Sequence, residues 1–323
     1  MRKKFFNLTV LFALISVAVL FCSCQKEGYS PVPSVNKEVG QPILFGVAGF
    51  SAHAYTKALT PNALSSLDGG FMVTAVAPDK SSFFDKQIAV KKSAIDGSHN
   101  LFEVKNYYWP TTGTMSFYGV FPKSGYDLVN TSGAVSFPVG TSTAQFDGKS
   151  DVIAAKAVNV ANRTEKVSLD FGHVLHWVNG IKFTNNDENA TFKVKSISLD
   201  APGYGTFNFV SDSLGNWSGL PAKASYKKYD LFSGEQAIAH GNAVAISDLK
   251  DVMVIAAGAC TLNVTYSVTV NGATDTYSKS AGINLWQGKK STISAELTND
   301  LTPILFSVSV KDWKAEDINA VLE

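Results

Sequence analysis

Five histidines, three cysteines and 27 acidic residues are the groups in this 323-residue chain whose types could support catalysis or metal binding. The histidines are His53, His99, His173, His176 and His240, and only His173 and His176 are close in sequence. Two histidines share a metal when they project to one side. Three residues apart on a strand they point to opposite faces, and their Val, Leu and Trp neighbours are strand formers. They read as core or edge histidines. The chain has no Gly-rich phosphate loop, no Gly-x-Ser-x-Gly elbow and no paired-cysteine metal motif. A glycosidase needs two facing carboxylates, and the spacing of the acidic residues singles out no pair. The expectation is a non-enzyme with no metal and no cofactor.

The cysteines are Cys22, Cys24 and Cys260, which is no disulfide framework. Cys260 ends the apolar run Val252–Cys260 and reads as a buried thiol on one strand, without an identifiable base to activate it. Cys24 is different. Arg2, Lys3 and Lys4 precede the apolar stretch Leu8–Cys22, which is too short to span a bilayer comfortably. Ser23-Cys24 followed by Gln25-Lys26-Glu27 resembles a bacterial lipobox, in which the cysteine receives a diacylglycerol and becomes the new N-terminus. Residues 1–24 then form a lipoprotein signal peptide, and the covalent acyl lipid on Cys24 anchors the chain. Residues 25–40, rich in Pro, Ser and Gly, read as a tether. This predicts a location at the outer membrane or cell surface.

The formal net charge is +1 and only 17% of residues are charged, so no basic excess exists to hold a phosphate backbone, and nucleic acid is excluded as a partner. Aromatic side chains offer another kind of binding. Tyr107, Tyr108 and Trp109 stand together, and Trp217 and Trp286 lie beside Asn216 and Gln287. Exposed rings stack on sugars, but in a sandwich such rings more often pack the core.

The elements that would position these groups are strands. Phe71–Ala77, Leu101–Val104, Met115–Phe121, Ala134–Val139 and Asp151–Ala155 are short apolar runs divided by turn residues such as Asp96-Gly97, Ser124-Gly125 and Asp147-Gly148. A second β region holds Val167–Phe171, Val174–Phe183, Phe192–Leu199, Val252–Ala257, Thr261–Val270, Ser291–Leu297 and Ile304–Val310. Asn271-Gly272 marks a hairpin. Helical periodicity is missing, and Tyr204–Ile246 yields no pattern. The reading is all-β: an N-terminal domain over 41–163 and a C-terminal domain over 164–323. One apolar motif occurs near both ends, as Pro-Ile-Leu-Phe-Gly-Val at 42–47 and Pro-Ile-Leu-Phe-Ser-Val at 303–308. Two similar strands at opposite ends suggest a groove that either could fill. Between the first of them and Phe71 lies a small, polar segment with Lys57-Ala58, a plausible site of proteolytic nicking.

Several blocks together resemble the fimbrillin family of the Bacteroidales, the Mfa-like lipoprotein pilins. They are Ser23–Glu27; Ile43–Val47 with Thr56-Lys57-Ala58; Tyr108-Trp109-Pro110 with Met115–Pro122; Asp151–Ala155 leading into Val167–Leu175; Val252–Gly258; and Leu285–Leu297 with Phe306–Trp313. The resemblance implies two tandem transthyretin-like Greek-key β-sandwich domains and no catalysis. It also implies a fimbrial subunit assembled by release of the first strand, here Ile43, Leu44, Phe45 and Val47, after a cut behind a basic residue. Lys57 is the matching residue, although the family's usual choice is arginine and none lies near. An extended segment of another subunit then fills the vacated groove. The candidate donors are Phe306, Val308 and Val310, or Ile318 and Leu322 in the tail. The implied partners are other fimbrial subunits, the outer membrane through the lipid, and surface glycans or proteins. A non-polymerising surface lipoprotein and a glycan- or protein-binding tip adhesin remain as alternatives.

Overall fold

A computed structural model describes residues 40–48, 69–96, 99–256, 258–297 and 305–312. Cys22, Cys24, His53, Lys57, Ala58, Ile318 and Leu322 lie outside them, so the lipidation, cleavage and tail-donor expectations fall on residues that are not described.

The described residues contain 21 strands and no α-helix. The first half runs β1 (Pro42–Ala48), β2 (Phe71–Val76), β3 (Ser82–Asp96), β4 (His99–Tyr108), β5 (Thr114–Phe121), β6 (Val129–Thr131), β7 (Ala134–Val139) and β8 (Ile153–Ala161). The second runs β9 (Val167–Ser168), β10 (Gly172–His173), β11 (His176–Asn185), β12 (Ala190–Ala201), β13 (Gly205–Asn208), β14 (Asn216–Ser218) and β15 (Lys227–Ile238). It continues with β16 (Ala243–Ala245), β17 (Val252–Val254), β18 (Gly258–Val270), β19 (Ala273–Leu285), β20 (Lys289–Leu297) and β21 (Leu305–Asp312).

The largest sheet has the order β10-β8-β5-β2-β3-β4-β1-β9. Strand β1 is three strands from β2, which in a flat sheet is roughly 14 Å. Yet the rings of Phe45 and Phe71 are 5.9 Å apart, and those of Phe45 and Phe117 on β5 are 5.3 Å apart. The sheet therefore folds over on itself. Its bend runs through the 15-residue β3, which pairs with β2 up to Ala89 and with β4 from Val90 onward.

This folding explains why every residue of β2 is buried. Phe71, Val73 and Ala75 alternate with Met72, Thr74 and Val76. The first set is on the side of the Phe45, Phe102 and Phe117 rings. Met72 and Val76 join a different core with Val120, Phe137, Val139 and Phe207, beneath the small sheet β14-β13-β7-β6.

The remaining strands form two facing sheets, β16-β11-β20-β21 with β17 also on β11, and β15-β12-β18-β19. Phe183, Phe192, Val194, Leu262, Val264 and Ile293 fill the space between them. The Asn271-Gly272 hairpin forms as expected: Val270 pairs with Ala273. The turn residues have φ of 49° and 82°, the left-handed pair that such a two-residue turn requires.

Strand pairing crosses the boundary that the sequence places at 163/164. Strand β9 pairs with β1, β10 with β8, and β13 with β7. Val174, Trp177, Phe207 and Met253 share one core with Val120 and Phe137. Two details of the strand assignment change. Val252–Cys260 is not a single strand, because β17 stops at Val254 and Cys260 belongs to β18 opposite Ile283. His173 and His176 lie on separate strands, β10 and β11, and not on opposite faces of one.

Candidate functional site

His173, His176 and the buried thiol are packed core, which agrees with their sequence reading, while His240 is exposed. His173 Nδ1 lies 2.8 Å from a carboxylate oxygen of the buried Asp151. His176 is fully buried, with Nε2 2.9 Å from Ser291 Oγ, and Nδ1 2.8 Å from the Trp286 carbonyl oxygen and 3.1 Å from the Trp286 nitrogen. Burial pushes its pKa down to about 4, against a smaller upward pull from the Trp286 carbonyl. An imidazole that stays neutral in a closed core has no route to a substrate. Burial also pushes the Cys260 thiol up to about 12, the reverse of an activated nucleophile. Among the described residues, no three His, Cys, Asp or Glu side chains converge to hold a metal ion.

The aromatic candidates separate. Trp109 is 4% exposed and its ring meets Phe117 at 5.6 Å, so it is core. Tyr107 packs on Phe84 at 4.8 Å. Trp217 donates its indole N–H to the Val174 carbonyl and packs edge-on against Phe207. Among the described tryptophans Trp286 is the most exposed, at 49%.

The first strand is the feature that combines burial with incomplete enclosure. Ile43, Phe45 and Val47 are each 0% exposed, while Leu44, on the other face, is half-buried. This alternation is what a two-residue side-chain period demands of a strand with one core face. Phe45 stands edge-on to both Phe71 and Phe117, the favourable orientation for aromatic quadrupoles. At about 1.5–3 kcal/mol per fully buried aliphatic or aromatic side chain, these three residues contribute roughly 5–9 kcal/mol.

The backbone of β1 is held unequally. One edge pairs antiparallel with β4 along its length, from Pro42 opposite Tyr108 to Ala48 opposite His99. Trp109 N–H also donates to the Gln41 carbonyl at 2.9 Å. Among the described residues the other edge meets only the two-residue β9, in parallel through Phe45–Val167 and Gly46–Ser168, and Leu169 N–H donates to the Gly46 carbonyl. Without β1, the edge of β4 and the rings of Phe71, Phe102 and Phe117 would line an open groove.

The second copy of the apolar motif is also a strand. β21 pairs antiparallel with β20 and is an edge of its sheet. Val308, half-buried, packs against the core of the second sandwich. Phe306 and Val310 occupy register positions opposite Ala295 and Ser291, and their side chains are not among those described. The sequence thus identified both strands, and in this chain each has a place of its own.

Comparison with known proteins places this architecture. A family described as fimbrillin-like matches residues 56–313, a span that begins downstream of β1 and reaches past β21. Among solved structures, a fimbrial protein from Bacteroides vulgatus has the same fold with a TM-score of 0.58 and 15% identity, covering 84% of this chain and 99% of that one. A candidate cell adhesion protein from Bacteroides uniformis has a TM-score of 0.46 and 17% identity, covering 84% of this chain and 99% of that one. Another, from Bacteroides ovatus, has a TM-score of 0.46 and 16% identity, covering 86% of this chain and 100% of that one. No curated protein matches. The family match spans most of the chain, and the protein belongs to the fimbrillin-like family.

Proposed function

We propose that this protein is a structural or adhesive subunit of a cell-surface fimbria, and that β1 is a removable strand whose groove is filled by an extended segment of another subunit. The observation that carries the reading is the state of β1. Its apolar face is wholly buried, yet among the described residues one of its two edges is closed only by the two-residue β9 and the Leu169 N–H. A strand of this kind can be exchanged for another of the same side-chain period with no rearrangement of the sheet, because main-chain bonds supply affinity and alternate side chains set register. The recurrence of Pro-Ile-Leu-Phe-x-Val at 303–308 supports a donor near the C-terminus of the neighbouring subunit, in Phe306, Val308 and Val310 or in Ile318 and Leu322. In this account the precursor is carried to the outer membrane on an acylated Cys24 and is cut after Lys57. The folded part of the chain is a scaffold for assembly and not an enzyme.

The test is the N-terminus of material sheared from the cell surface, read by mass spectrometry. The account predicts a mature chain that begins at Ala58. A chain that begins at acylated Cys24 would contradict strand release. It would support a second reading, favoured by the lack of any arginine between residues 49 and 68, in which the protein keeps β1 and serves as a lipid-held anchor or accessory subunit.

A further inference from the structure

Away from β1, three irregularities of the backbone converge on one surface cleft. The first is the turn after β2, where Lys80 N–H donates to the Ala77 carbonyl and Lys80 has φ of 70°. The second is the tip of the β6–β7 hairpin, Ser132-Gly133, with φ of 51° and 88°. The third is a bulge in β8. Met115 pairs with Val160 but Phe117 pairs with Ala157, so β8 carries one extra residue there, and Asn159 has φ of 53°. Left-handed backbone at non-glycine residues is uncommon and gathers at functional sites.

The cleft between them has a volume of about 380 Å³. Its polar lining is Thr114, Ser116, Tyr118, Ser132, Asn159 and Lys80, and its apolar lining is Val76, Ala77, Pro78 and Ala134. The walls are tied together. Asn130 Nδ2 donates to the Lys80 carbonyl at 3.2 Å and to Ser82 Oγ at 2.9 Å, while its Oδ1 accepts the Gly133 N–H at 2.9 Å. This one side chain fixes the hairpin tip to the turn. The Asn159 N–H donates to Ser116 Oγ at 3.1 Å and fixes the bulge to β5. The stem of Lys80 lies along Gly133, where an added Cβ would sit 3.0 Å from Lys80 Cγ. The carboxylate of Asp79, its neighbour, accepts the N–H and the hydroxyl of Ser81 and is not part of the lining.

From this lining we infer a binding site for a monosaccharide-sized polyol with one carboxylate, the hexuronate class. The volume is at the small end for ligand pockets. Three hydroxyls, one amide and one phenol can exchange hydrogen bonds with sugar hydroxyls. Lys80 supplies one positive charge, and no carboxylate lines the cleft to oppose an anion. The apolar patch offers a surface for the C–H face of a ring. The inference does not depend on strand release, because none of these residues belongs to β1 or its groove.

The experiment is a titration of the full chain with glucuronate, glucose and acetate, followed by amide chemical shifts and repeated with Lys80→Met. Lys80 is exposed, and an unchanged melting temperature of the variant would show that the fold is kept. The expected result is that glucuronate moves the amides of Thr114, Ser116, Ser132 and Asn159, and that Lys80→Met weakens it at least tenfold. Glucose and acetate should each bind at least tenfold more weakly than glucuronate. If glucose equals glucuronate, the role assigned to Lys80 is overturned. Acetate equalling glucuronate would reduce the cleft to a simple anion site and overturn the sugar assignment. Shifts at other residues only, or none, would overturn the site itself.

Discussion

Truncating Phe45 to alanine tests how firmly β1 is held. The ring is fully buried and meets two others edge-on, at 5.9 Å and 5.3 Å. Removing a buried phenylalanine costs about 3–5 kcal/mol through lost transfer energy and the cavity left behind. Each lost aromatic pair is worth about 0.5–1.5 kcal/mol beyond its buried area, which places this site toward the upper end. The loss should fall on the folded-over sheet, because none of the Phe45 ring contacts reaches the core between β11–β20 and β12–β18. Hydrogen exchange read by mass spectrometry resolves this. At about 1.4 kcal/mol per tenfold, the Phe45→Ala chain should exchange the amides of β1 and β4 roughly 100-fold faster or more. Peptides from β18 and β19 should be unchanged. Leu44→Ala, on the half-buried face, should change exchange by less than about tenfold. The reasoning is refuted if Phe45→Ala accelerates β1 and β4 by less than tenfold, or if β18 and β19 accelerate equally.

Other expectations concern buried polar groups. His176 has its folded pKa held down to about 4, below the ordinary 6.5, so the unfolded chain binds the proton first as pH falls. Stability from this group is complete above pH 6.5 and is lost between pH 6.5 and about 4. The loss is roughly 3 kcal/mol at 1.36 kcal/mol per pH unit. Denaturant melts of His176→Gln and the parent should show a difference that narrows by that amount as pH falls across this window. Cys260 should resist a thiol reagent at pH 8 in the native protein and react fully in denaturant, checked on a chain that begins after Cys24. Lys156 donates to the carbonyls of Val210, Ser211 and Ser213. Lys156→Met should leave the exposed Ser211 and Ser213 carbonyls to water, cost about 0.5–1.5 kcal/mol in a denaturant melt, and open the segment around Ser211 to limited proteolysis.

The fold was legible in the sequence wherever a strand has one buried face or two. β5 and β7 alternate, and β2 is apolar throughout because both its faces are covered. The Asn-Gly hairpin is a local signal that needs no tertiary information. Strand β3 was missed because Phe83 and Phe84, adjacent in sequence, are both buried where a bulge between Phe84 and Ser82 shifts the register with β2, and adjacent buried residues break the two-residue period. The stretch Tyr204–Ile246 carried no readable pattern because β13, β14 and β16 are short, β13 and β14 join the sheet of β7, far away in sequence, and the 12-residue β15 breaks its alternation where Leu231 and Phe232 are both buried. Of the site, Ile43, Phe45 and Val47 were readable from a repeated apolar motif. The enclosure of β1 by β4 and β9 was not, since it depends on pairings some 60 and 120 residues away. The cleft beside Lys80 was not legible, because its walls are assembled by the fold from β2, β5, the β6–β7 hairpin and β8.

The central claim is that the groove occupied by β1 accepts a strand from elsewhere. The direct measurement is the thermal unfolding of a chain that begins at Ala58, with and without a peptide of residues 41–48 or of residues 303–310. Losing three buried side chains worth roughly 5–9 kcal/mol removes much of the roughly 5–15 kcal/mol that holds a domain together. The account predicts that the shortened chain melts well below the intact one. Each peptide should restore most of the difference in a concentration-dependent manner, and a peptide with Phe45 or Phe306 replaced by Asp should not. A shortened chain that melts like the intact one, or that gains nothing from either peptide, would contradict strand exchange as the basis of assembly.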